Sequence, residues 1–197
     1  MSRPSTVDEG VPPMMQGKQV LTERCAGIAM LVLDVDGVLT DGRIVYDDSG
    51  KELKFFHVRD GSGLKIWRSL GKRAAIITGR SSRAVEIRAA ELQVEPVIQG
   101  APDKLTAYQK LLQAAGLQPQ QVCCVGDDLP DLPLLRNCGL AVAVADACAE
   151  ARADAHYVTR APGGWGAVRE TIELVLRCQD LWQSAVDSYR KQRLADA

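Results

Sequence analysis

From residue 21 onward, short apolar runs alternate with longer segments of helical period, and this alternation restricts the fold more than any other feature of the chain. A strand buried on both faces reads as an unbroken apolar run, whereas a strand with one wet face alternates apolar and polar. The runs over 28–33, 73–78, 121–125, 140–144 and 155–159 are mostly of the unbroken kind and are predicted to be central strands. The segments between them predict helices over 63–69, 82–93, 103–115, 131–137 and 167–178. Gly71, Gly116 and Gly139 stand where three of those helices should stop. Strand and helix in strict succession build βαβ units around a parallel sheet, so the predicted fold class is α/β.

One section breaks the rhythm. Residues 43–46, the turn Asp47-Asp48-Ser49-Gly50 and residues 51–58 predict a hairpin, a flap over about 42–58 that overhangs the C-terminal end of the first strand. Residues 1–20, with Pro4, Gly10, Pro12, Pro13 and Gly17, are predicted to be a flexible extension. The main domain is placed at 21–178 and a helical tail at 179–197, where Trp182, Val186 and Tyr189 recur at helical spacing as a packing stripe. A net charge of −1 gives no general attraction to nucleic acid or to an anionic membrane, so neither partner is expected. No apolar run approaches the ~20 residues of a membrane span, and the first residues lack the charged-then-apolar order of a secretory signal, which predicts a cytoplasmic protein. The six cysteines contain no CxxC pair, and adjacent Cys123 and Cys124 would point to opposite faces of a strand; all are expected to be reduced and structural.

The chemistry gathers where open α/β sheets bind ligands, beyond the carboxyl ends of the strands. Asp34 and Asp36 follow the first strand in DVDGVLTDG, Thr78-Gly79-Arg80 follows the second, and Gly126-Asp127-Asp128 follows the third with Asp131 close behind. Lys104, at the start of a predicted helix, supplies a cation. An isolated aspartate after a strand is commonly a turn former or cap, but this set arrives at one rim from three strands. So many neighbouring carboxylates repel unless a cation lies among them, and Mg²⁺, which takes carboxylate and carbonyl oxygens and bridges to phosphate, is the simplest candidate. Arg59, Lys65, Arg80 and Arg88 follow the flap or the second strand, where they could meet a second anionic group of the substrate.

These residues resemble the four motifs of the haloacid dehalogenase superfamily of phosphohydrolases: Asp34-Val-Asp36-Gly-Val, Thr78 in Ile-Ile-Thr-Gly-Arg, Lys104, and Gly126-Asp-Asp-Leu-Pro-Asp131. The resemblance implies a Rossmann-like three-layer fold. It implies that Asp34 is the nucleophile that forms an aspartyl-phosphate and that Asp36 is the general acid and base. Thr78 and Lys104 would hold the phosphoryl group. Mg²⁺ would be bound by the side chains of Asp34 and Asp127 and the carbonyl of Asp36, with Asp128 and Asp131 orienting the metal shell and Lys104.

Only the short flap is inserted after the first strand, and no large cap follows the second, so the chain resembles the capless branch that acts on sugar-acid phosphates. His57-Val58-Arg59-Asp60-Gly61, Leu140 to Asp146, and Arg160-Ala-Pro-Gly-Gly-Trp-Gly-Ala-Val-Arg-Glu170 carry that finer resemblance. It implies a homotetramer whose flaps associate and whose C-terminal tail or flap reaches a neighbour's active site. It also places the 57–61 segment, Lys65 and Lys104 with Asp36 on the substrate. An eight-carbon sugar-acid phosphate of lipopolysaccharide sugar synthesis is favoured over a nine-carbon acylneuraminate phosphate because of the APGGWGAVRE segment. A phosphorylation-receiver domain also groups aspartates with Thr and Lys. There, however, the phosphorylated aspartate follows the acidic pair and precedes Thr and Lys, an order this chain does not have.

Overall fold

The computed structural model describes residues 13–195. Six parallel strands form the central sheet: β1 (Met30–Leu33), β4 (Arg73–Ile77), β5 (Val97–Ile98), β6 (Val122–Gly126), β7 (Leu140–Ala143) and β8 (Tyr157–Val158). A separate two-stranded ribbon pairs β2 (Val45–Tyr46) with β3 (Glu52–Leu53). The sheet order is β5-β4-β1-β6-β7-β8, which places β1 between strands that leave in opposite directions. Such a reversal opens a crevice at the carboxyl ends of the central strands. The register pairs Leu33 with Ile76 on one side and Val125 on the other, so β1, β4 and β6 end level with one another.

The apolar runs became strands because their side chains are buried on both faces. Leu31, Leu33, Val122, Cys123, Leu140, Ala141 and Val142 are completely enclosed. Each buried Val or Leu contributes roughly 1.5–3 kcal/mol relative to exposure. The helices are α1 (Pro13–Ala26), α2 (Val58–Ser69), α3 (Arg83–Leu92), α4 (Lys104–Ala115), α5 (Leu132–Leu135), α6 (Ala149–Asp154), α7 (Ala167–Cys178) and α8 (Trp182–Ala195). α2 packs on α7 and α3, and α1 and α8 join α7. α4, α5 and α6 neighbour one another, so helices flank the sheet in a three-layer α/β arrangement. Among the described residues no helix is long and apolar enough to cross a membrane, and all six cysteines are free thiols.

Five elements differ from the sequence reading. The lead-in is helical from Pro13, where proline's missing N–H falls at a position that has no intrahelical partner. Tertiary contacts hold this helix: Cys25 is fully buried, Arg24 donates to the Gly139 carbonyl at 3.0 Å, and Gln179 donates to the Cys25 carbonyl at 2.7 Å. Residues 1–12 of the expected extension lie outside the described residues. The second flap arm is shorter than 51–58, because Phe56 turns inward beneath the Arg88 guanidinium and Val58 already opens α2, five residues ahead of the expected start. The helix expected over 131–137 is a single 3₁₀ turn, Leu129–Asp131, followed by the short α5. Edge strand β5 and helix α6 were not expected; β5 forms a ladder of two residue pairs, too short for any periodicity to reveal.

Candidate active site

The crevice is lined from three strand ends. β1 runs into Asp34, and the chain then turns back on itself, with the amides of Val38, Leu39 and Thr40 all donating to the Val35 carbonyl. Gly37 makes this possible at φ +90°, a conformation that disfavours a side chain. A Cβ at Gly37 would also overlap the Asp127 carboxylate, so glycine is required twice over. β4 ends at buried Thr78, and β6 ends at Gly126-Asp127. From below, Lys104 opens α4, whose N-cap Asp103 accepts from the amides of Leu105 and Thr106.

Asp34, Asp127, Asp131 and Lys104 come together at this rim. Lys104 Nζ lies 2.9 Å from Asp34 Oδ1 and 2.7 Å from Asp131 Oδ1, with its side chain 6% exposed. Its aligned hydrogen bond goes to Asp131, while Asp34 Oδ1, though close to the ammonium, receives no aligned hydrogen bond. Asp131 uses its other oxygen to accept from the backbone amides of Asp127 at 3.0 Å and Asp128 at 3.4 Å. Asp131 is therefore an organiser of both Lys104 and the Asp127 loop.

One ammonium does not balance this site. Oxygens of Asp34, Asp127 and Asp131 lie within 4.8 Å of one another, so three carboxylates less one ammonium leave two negative charges. Burial pushes the Asp34 carboxyl up to about 6, with Asp131 adding repulsion and Lys104 opposing it. Burial pushes Asp127 up to about 8, reinforced by Asp131 and Asp34. Lys104 is held above its ordinary range because the two carboxylates outweigh the cost of its burial. A buried cluster short of two positive charges, with an Asp34 oxygen that the Lys104 ammonium approaches without an aligned hydrogen bond, suits a hard divalent cation that takes oxygen ligands.

Asp36 sits at the edge of this cluster and is held by Arg80, which the sequence singled out, and by a flap lysine that sequence reasoning missed. Lys54, on the flap just after β3, donates to Asp36 Oδ1 with its side chain only 1% exposed. Arg80 Nε lies 3.6 Å from Asp36 Oδ2, and Arg80 also donates to Glu52 at 2.7 Å. The signal was present in the flap. Glu52 and Lys54 are two apart in an extended arm and so share a face, opposite Leu53 and Phe55.

The remaining expected substrate residues are more dispersed. Asp60 is buried and accepts from the amides of Gly166 at 3.2 Å and Arg169 at 2.7 Å, which makes it a cap for α7 from a distant part of the chain. Burial also holds its carboxyl above the usual range. His57 is half-buried, its ring 6.3 Å from that of Trp165. Gly61 is covered by the Arg88 guanidinium, which donates to Glu91 and lies over Phe56. Val58, Arg59 and Lys65 are exposed. Among the described residues no ion pair or hydrogen bond joins Arg59, Lys65 or Arg88 to the aspartate cluster.

The APGGWG loop has a mechanical explanation. A side chain at Gly163 would overlap the Gly37 carbonyl, and Gly164 donates its amide to Val38 at 2.9 Å. The loop therefore lies flat against the turn that carries Asp34 and Asp36, and its glycines permit the approach.

A βαβ sheet that carries this aspartate, lysine and threonine rim defines a haloacid dehalogenase-like hydrolase, and that family's pattern matches residues 97–167. The 3-deoxy-D-manno-octulosonate 8-phosphate phosphatase of Yersinia pestis is 47% identical over 163 residues, covering 83% of this chain and 87% of the relative. The protein of the same name from Escherichia coli K12 is 46% identical over 156 residues, covering 79% and 83%. The solved structure of the Moraxella catarrhalis enzyme, in complex with magnesium, phosphate and KDO, superposes with a TM-score of 0.84 at 41% identity, covering 86% of this chain and 97% of that one. The chain belongs to the family of 3-deoxy-D-manno-octulosonate 8-phosphate phosphatases.

Proposed function

We propose that the protein hydrolyses 3-deoxy-D-manno-octulosonate 8-phosphate to the free sugar acid and phosphate, with Mg²⁺ as its cofactor, as a step of lipopolysaccharide biosynthesis in the cytoplasm. The observation that carries this reading is the rim itself, a two-charge deficit at Asp34, Asp127, Asp131 and Lys104 beneath a small flap, in a chain 47% identical to such a phosphatase.

An oxygen of Asp34 attacks phosphorus and forms an aspartyl-phosphate while the bond from phosphorus to the sugar oxygen breaks. Asp36 gives its proton to that leaving oxygen, then takes one from the water that attacks the same phosphorus, and Asp34 is regenerated. Thr78 and Lys104 hold the phosphoryl oxygens, with Lys104 kept in place by Asp131. Mg²⁺, held by the Asp34 and Asp127 side chains and the Asp36 carbonyl, supplies charge neutralisation for the phosphoryl group. The position of Arg80 beside Asp36 supports a contact with the sugar acid.

The flap exposes Ile44, Tyr46, Leu53 and Phe55, with Val58 just beyond it. An apolar patch of this kind supports association of flaps between subunits of a homotetramer, in which the exposed Arg59 and Lys65 serve substrate at a neighbouring site, with Arg88 behind them. His57 and Gly61 then shape the wall that presents them.

Phosphate release from a panel of eight- and nine-carbon sugar-acid phosphates, with Mg²⁺ or a chelator, tests the proposal. The eight-carbon 8-phosphate should be turned over best, and chelation should abolish turnover. Preference for an acylneuraminate 9-phosphate would overturn the substrate, and undiminished activity in chelator would overturn the metal.

A further inference from the structure

A ring of alternating charge closes over the proton carrier. Lys54 Nζ donates to Asp36 Oδ1 and lies 3.5 Å from Glu52 Oε1. The same Glu52 oxygen accepts from Arg80 Nη2 at 2.7 Å, and Arg80 Nε returns to Asp36 Oδ2 at 3.6 Å. The ring joins three separate elements: the loop after β1, the flap strand β3 and the loop after β4. Lys54 is the buried member, 1% exposed, whereas Arg80 is 42% exposed. Lysine is seldom enclosed without a partner because its ammonium is strongly hydrated. The hairpin that carries it exposes Tyr46, Leu53 and Phe55, and its strands are two residues each.

The two oxygens of Asp36 are not equivalent. Oδ1 is engaged by Lys54, while Oδ2 is buried and receives no aligned hydrogen bond. A carboxyl fixed through one oxygen by Lys54, with the other in only the longer 3.6 Å ion pair to Arg80, is oriented for proton exchange with a third party.

We propose that Lys54, braced by Glu52, is a positioning residue: it fixes the Asp36 carboxyl through Oδ1 so that Oδ2 faces the leaving sugar oxygen, and thereby makes a seated flap a condition of proton transfer. The inference rests on the reading of Asp36 as the proton carrier. It differs from a purely structural anchor in one measurable way. An anchor that lets the flap drift weakens turnover of every phosphate ester, whereas a lost proton donor harms only those whose leaving group needs the proton. A sugar alkoxide needs it; 4-nitrophenolate does not.

The experiment follows the first turnover, as the burst of alcohol or nitrophenolate, because the second step uses Asp36 with either substrate. Wild type, Lys54→Met, Lys54→Arg, Glu52→Gln and Asp36→Asn are compared on 4-nitrophenyl phosphate and on the sugar-acid phosphate that the wild type turns over best. Lys54→Met should slow the burst on the sugar phosphate by about 10- to 100-fold, within the range general acids contribute. It should change the nitrophenyl burst by less than about threefold. Lys54→Arg should recover part of the loss, and Glu52→Gln should show the same selectivity more weakly, which keeps the test available if Lys54→Met does not fold. Equal losses on both substrates in Lys54→Met or Glu52→Gln would overturn the inference. If Asp36→Asn is itself unselective between the two substrates, the reading of Asp36 fails, and the inference with it.

Discussion

Asp60 tests whether the His57–Gly61 segment binds substrate or builds the frame. Its carboxylate is 2% exposed and accepts from the amides of Gly166 and Arg169, at the N-cap and third positions of α7. Asp60→Ala removes a helix cap, at about 0.5–2 kcal/mol. It also strands buried amide donors, at about 1–3 kcal/mol. The two overlap in part, which gives a loss of about 2–4 kcal/mol. For a domain of this size that corresponds to about 4–16 °C in Tm. Asp60→Asn, which keeps an acceptor and the shape, should lose about half as much. Urea unfolding followed by circular dichroism, with an unchanged slope, measures the loss, and steady-state kinetics on the same samples should show KM within about threefold of wild type. Wild-type stability together with a large rise in KM would refute the capping role and return Asp60 to the substrate.

Gly163→Ala should force the turn at Gly37 to shift, costing about 1–3 kcal/mol and lowering kcat more than KM; thermal denaturation and turnover at wild-type levels would show the contact to be slack. In metal-free protein Asp34 and Asp127 titrate near 6 and 8 rather than near the ordinary ~3.9. Raised carboxyl values mean that their contribution to stability is fully present below pH ~4 and is lost as pH rises through 6 and 8. Tm in chelator should therefore fall between pH 5 and 9, and Mg²⁺ should reduce the slope; a Tm that rises over that range in chelator would contradict the charge deficit. Lys104→Met leaves Asp34 and Asp131 buried without their cation and should cost about 3–5 kcal/mol at pH 8, less at pH 5, as read by calorimetry in chelator.

Most of the frame was legible because burial on two faces writes unbroken apolar runs. Leu31 to Leu33, Ala75 to Ile77 and Val122 to Val125 could be placed from sequence, and the polar residues that follow them fall on the rim for the same reason. α7 was placed to the residue, since Val168, Ile172, Val175 and Leu176 bury one stripe. α1 was missed because its order comes from single long-range contacts such as Arg24 to Gly139, which leave no period behind. The core of the site was legible as residue types at strand ends. The roles of Lys54 and Asp60 were not, because each depends on a partner remote in sequence: Asp36 lies 18 residues from Lys54 and Arg169 lies 109 from Asp60. An extended arm shows which residues share a face, but not what that face will meet.

Asp34 is the residue proposed to carry the phosphoryl group. Rapid mixing of enzyme with ³²P-labelled sugar-acid phosphate and Mg²⁺, quenched in acid within a turnover and followed by peptide mapping, measures this directly. Transient label is expected on the peptide containing Asp34, with no label in Asp34→Asn or in chelator, and no turnover in either case. Label on another residue, or phosphate release that persists in Asp34→Asn, would contradict it.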